Sequence, residues 1–100
     1  MTKTRLYKGN FPDPEFYQYI GSNGDWKVYS CRTMNDKGFY KIKVISTKPK
    51  DRANFYMDFK FDSRYIVGSQ GKKLFERFYP EDAPKIFEII LGHFEWWLKD

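Results

Sequence analysis

Cys31 and His93 are the only thiol and the only imidazole among these 100 residues. They fall in separate stretches with no local signature joining them, so no Cys–His or Ser–His–Asp arrangement follows from spacing. In helical projection His93 lies between Ile86 and Ile89, flanked by apolar side chains and not by acids, which reads as a structural histidine. One sulfur and one imidazole fall short of the ligands a structural zinc site needs. Asp13 with the distant Asp58-Phe59-Lys60 echoes the acid and acid-x-lysine pattern of metal-dependent nucleases, where carboxylates hold Mg²⁺ and the lysine attends the attacking water. That tripeptide arises readily by chance, and here it falls on the outward face of a regular strand. The run Gly68-Ser69-Gln70-Gly71-Lys72-Lys73 lacks phosphate-loop spacing. The sequence predicts a non-enzymatic protein with no catalytic residue, no cofactor and no metal site.

What remains is surface chemistry. Net charge is +5. It is concentrated in the first half, where ten Lys or Arg face four acids, against eight and nine in the second half. Between Trp26 and Arg52 the basic residues are interleaved with Trp26, Tyr29 and Phe39. Ammonium groups can follow phosphates while rings stack on bases, the combination that single-stranded nucleic acid calls for. The residues expected to form such a face are Lys27, Arg32, Phe39, Lys41 and Lys43, with Lys48, Lys50 and Arg52 in the loop that follows. The function expected first is a small binding module for single-stranded DNA or RNA. The alternative is a small protein-binding inhibitor or adaptor, of the kind viruses and mobile elements use to block a host nucleic-acid machine.

Composition sets the frame for either function. Aromatic residues make up 21% of the chain, enough to build a single core mainly from Phe, Tyr and Trp. A lone cysteine excludes an intrachain disulfide and suits a reducing compartment. No apolar run approaches a membrane span, and the N-terminus lacks a signal-peptide block. A cytoplasmic protein without a membrane partner is the expectation.

The elements that must position the basic face follow from periodicity. Residues 1–12 read as an N-terminal arm or edge strand. Asp13-Pro14 could start a helix, but Phe16 to Ile20 favours a strand that turns at Ser22-Asn23-Gly24-Asp25. Trp26–Thr33 and Phe39–Thr47 read as strands, with Tyr40, Ile42 and Val44 sharing one side of the second. Asn54–Asp62 alternates most cleanly: Phe55, Met57, Phe59 and Phe61 point one way, Tyr56, Asp58 and Lys60 the other. Arg64–Val67 and Lys72–Tyr79 read as further short strands around a turn at Gly68–Gly71. Residues 80–100 carry the strongest helical signal, with Pro84 in the first turn and Ile86, Ile90, Phe94 and Trp97 on one arc. The prediction is one α+β domain over residues 1–100, an antiparallel sheet of four to five strands packed against one long C-terminal amphipathic helix. This order of strands and then a helix is similar in outline to the whirly type of single-strand binder, a resemblance that implies a sheet-borne nucleic-acid contact.

The helix adds a second expectation. Its apolar arc is wider than one supporting layer covers, because Ile89 and Trp96 extend it beyond His93. Ile89, His93 and Trp96 are therefore expected at a protein interface, with a homodimer through the C-terminal helix as its simplest form and the N-terminal segment folding back as the other cover.

Overall fold

Alternating side chains in the middle of the chain and a helical repeat at its end produce a sheet with helices on one side only. A computed structural model describes residues 16–34, 37–48, 54–61 and 63–98, with side chains as far as residue 95. The arm expected at residues 1–12 lies outside them. Five strands, β1 (Tyr17–Asn23), β2 (Trp26–Cys31), β3 (Phe39–Ser46), β4 (Asn54–Lys60) and β5 (Tyr65–Ile66), are followed by α1 (Gln70–Phe78) and α2 (Ala83–Leu98). The strands pair antiparallel in sequence order. The protein is α+β, with two helices in place of the single one expected.

Each turn has a local cause. Gly24, at φ +58°, takes the left-handed conformation that lets β1 return directly into β2, and Thr47 donates its N–H and its hydroxyl to the Asp25 carbonyl at 2.7 and 3.0 Å. Register along β1 shifts at Ile20, because Tyr19 pairs with Tyr29 while Gly21 pairs with Val28. That extra residue is a β-bulge.

Residues 72–78 are helix, contrary to the strand expected over 72–79. Leu74, Phe75, Phe78 and Tyr79 are spaced one and four residues apart, the spacing of one helical face, and Phe75 turns into the core. Ser69 caps the start by accepting from the Lys72 N–H at 3.4 Å, and the Tyr79 N–H closes the end on the Phe75 carbonyl at 2.8 Å. The aromatic residues that favour a strand by propensity are here recruited by the core, and packing decides.

The core forms where the alternation of β2, β3 and β4 meets the helical repeat. Val28, Ile42, Val44, Met57 and Phe59 are buried against Phe75, Ile86, Ile90 and Phe94. Phe59 lies flat on Phe94, with ring centroids 4.0 Å apart and planes 2° from parallel. Trp26 joins the two helices to the sheet. Its ring meets Phe75 and Tyr79 edge-on at 5.0 and 4.8 Å, and its Nε1–H donates to Asp82 Oδ2 at 3.1 Å. Asp82 also caps α2 through its carbonyl, which accepts from Ile86 at 3.0 Å. No helix among the described residues is long and apolar enough to cross a membrane.

Candidate nucleic-acid interface

Because side chains alternate along a strand, the residues that do not enter this core gather on the opposite sheet face. Strand register then assigns them to rows. One row runs Tyr19–Tyr29–Lys43–Tyr56 across β1 to β4, and a second pairs Lys41 with Asp58. A third carries Ser22, Lys27, Ile45 and Asn54, and a fourth Phe39, Lys60 and Tyr65. Tyr17 lies beside the first row, opposite Cys31.

The rings and cations of this face touch. Lys43 Nζ sits 4.5 Å from the centre of the Tyr17 ring and 5.8 Å from that of Tyr29. Tyr29 in turn meets Tyr19 edge-on at 5.7 Å, and Tyr19 is 55% exposed. Lys60 Nζ lies 5.0 Å over Phe39. Such cation–π contacts hold a long side chain in place while leaving its charge available to an anion. Lys27 and Arg32 are exposed at either end of β2.

The expected basic residues thus fall in different settings. Lys27 and Lys43 share the helix-free side with exposed or half-buried side chains, and Phe39 is half-buried beneath Lys60. Arg32 is exposed just past the end of β2, where alternation gives it the parity of Trp26 and Val28 and not that of Lys27. Lys41 differs: it is only 8% exposed, and its Nζ makes a 2.8 Å ion pair with Asp58 Oδ1. Lys48 is exposed at the end of β3, 3.5 Å from Asp25. Lys50 and Arg52 lie outside the described residues. Trp26, which the sequence interleaves with the basic residues, points to the helix side and belongs to the core. Tyr17, Tyr19 and Tyr56 complete the face. Their signal in the sequence is alternation with apolar neighbours, but only the strand register shows which rings become neighbours.

On the helix side, Ile89 lies directly over Gly21 of β1, where a Cβ would come within 2.7 Å of Ile89 Cγ2. The chain's own first strand covers that flank of α2. His93 is half-buried with its ring edge-on to Phe94 at 4.9 Å, and burial pushes its pKa below the ordinary histidine value. The Trp96 side chain lies outside the described residues. Among the described residues no group of three His, Cys, Asp or Glu side chains is placed to hold a metal ion. No protein-family model, curated protein or solved structure matches the chain.

Proposed function

We propose that this protein binds single-stranded nucleic acid on its helix-free sheet face. The observation that supports this reading best is the row Tyr19–Tyr29–Lys43–Tyr56, with Lys43 held among the tyrosine rings and Tyr19 exposed beside them. Bases stack on Tyr19 and Tyr29, while Lys43 and Lys27 accompany the phosphates. Stacking on one ring contributes about 1–3 kcal/mol per base and tolerates any sequence. Each phosphate neutralised on a single strand contributes about 0.7 to the slope of log affinity against log salt.

Fluorescence anisotropy with an oligothymidylate of about 10 nucleotides tests this directly. Affinity should fall steeply between about 50 and 200 mM salt. Tyr19→Ala should weaken binding at every salt concentration without altering the slope. The double variant Lys27→Gln, Lys43→Gln should flatten the slope by about 1.4, two phosphate contacts' worth. Absence of binding to any single strand at low salt refutes the proposal.

A second reading, docking onto a partner protein, draws support from Phe78 and Leu91, which are 61% and 43% exposed on the helical side. An interface built on those residues would show little salt dependence and would be lost in Phe78→Ser.

A further inference from the structure

At the outer edge of the sheet, β5 pairs only with the last part of β4, and α1 takes over alongside Tyr56. A cleft of about 470 Å³ opens at this corner, lined by Lys41, Asn54, Tyr56, Asp58, Gln70 and Gly71 among others. Its size lies within the range of small-molecule sites. Tyr56 is also the last member of the tyrosine row, so a strand crossing that row is led into the cleft.

The polar groups of the cleft are unevenly satisfied. Lys41 holds Asp58 Oδ1 at 2.8 Å. Oδ2 of the same carboxylate, the Asn54 amide and the Gln70 amide have no hydrogen-bond or ion-pair partner among the described residues. Lys41 fixes the orientation of the Asp58 carboxylate, and a largely buried pair of this sort is retained at a desolvation cost. A carboxylate fixed in this way is acceptor-only and takes two adjacent donors side by side.

We infer that this cleft is a base-selective pocket for guanine at one end of the bound strand. Among the four bases only guanine places two N–H donors next to one another on its pairing edge, N1–H and N2–H. Adenine and cytosine set a donor beside an acceptor, and thymine sets one N–H between two carbonyls. The carboxylate therefore accepts guanine and repels the others, and the Asn54 and Gln70 amides are within the same cleft to donate to its O6 or N7. A guanidinium has the same paired donors, but the chain's net charge of +5 and the adjoining tyrosine row favour a nucleotide over a cationic side chain. The pocket rests on the proposed strand-binding face for its place in a longer ligand, but not for its chemistry.

The test follows the side-chain amide resonances of Asn54 and Gln70 by ¹H–¹⁵N spectroscopy while free mononucleotides are added. GMP should shift them to saturation, AMP and CMP should not, and IMP, which lacks the 2-amino group, should bind about tenfold more weakly than GMP. Asp58→Asn should abolish the GMP response. Since that variant leaves Lys41 buried without its partner, the double variant Lys41→Met, Asp58→Leu supplies a check in which the pair is replaced by apolar groups. It should lose GMP while still binding oligothymidylate. Equal responses to GMP and CMP, or a stronger response to arginine amide than to GMP, overturn the assignment. Oligothymidylate carries no guanine, so its binding reports on the tyrosine row alone and separates failure of the pocket from failure of the strand-binding face.

Discussion

Gly71 offers the sharpest test of how α1 is seated. It lies in the first turn of α1, against the exposed edge of β4. A Cβ built there would overlap the Tyr56 carbonyl oxygen and stand 3.0 Å from its carbonyl carbon. Both partners are backbone, so no rotamer change relieves the contact, and the helix must move away from the strand. Gly→Ala within a helix ordinarily stabilises by about 1 kcal/mol. Overpacking a rigid contact costs about 1–3 kcal/mol. Backbone against backbone belongs at the upper end of that range, which leaves Gly71→Ala about 2 kcal/mol less stable than wild type. For a domain of this size such a loss lowers Tm by about 8–16 °C. Gly92 in α2 supplies the internal control, because nothing lies within 4 Å of a Cβ there. Gly92→Ala should therefore show the propensity gain alone, about 1 kcal/mol and about 4–8 °C. Urea titration and thermal melts followed by circular dichroism measure both. If Gly71→Ala is as stable as Gly92→Ala, α1 does not pack on the β4 edge and the cleft beside it loses its wall.

Phe59 is 1% exposed and stacked on Phe94, so Phe59→Ala should cost about 3–5 kcal/mol in a denaturant titration; a loss below about 1 kcal/mol would place β4 the other way round. Burial lowers the folded-state pKa of His93, so the unfolded chain takes up its proton first on acidification. Stability should decline as pH falls through about 6.5 towards that lower pKa, and His93→Gln should flatten this part of the profile.

The fold was legible wherever one face of an element is buried and the other is not. Phe55, Met57 and Phe59 could be assigned to the core side of β4 because Tyr56, Asp58 and Lys60 alternate with them, and the same holds for Tyr40, Ile42 and Val44 of β3. The helix at residues 83–98 was legible from Ile86, Ile90 and Phe94. Residues 72–79 misled because Phe75, Phe78 and Tyr79 favour strands by propensity, while the Ser69 cap and the one-and-four spacing carried the contrary signal. On the helix-free face, individual outward residues could be read but not their cross-strand neighbours. Lys41 and Lys43 are equivalent two-residue neighbours in the sequence, yet register sets Lys41 opposite Asp58 and Lys43 opposite Tyr56. One becomes half of a buried pair and the other a cation resting on rings. The cleft beside α1 depends on that register and on a helix the sequence did not announce.

The arrangement of α2 over β1 has a consequence during synthesis. The strands pair in the order in which they are made, so hairpins can form as the chain emerges. Their apolar side, with Val28, Ile42, Val44, Met57 and Phe59, is closed by Phe75 of α1 and then by Ile86, Ile90 and Phe94 of α2. A ribosome that has translated only as far as α1 therefore carries a nascent sheet on which Phe59 still lacks the Phe94 ring that covers it. The interval in which the last helix is still inside the exit tunnel is when the chain most needs a chaperone, and messages truncated before codon 83 should yield protein that aggregates.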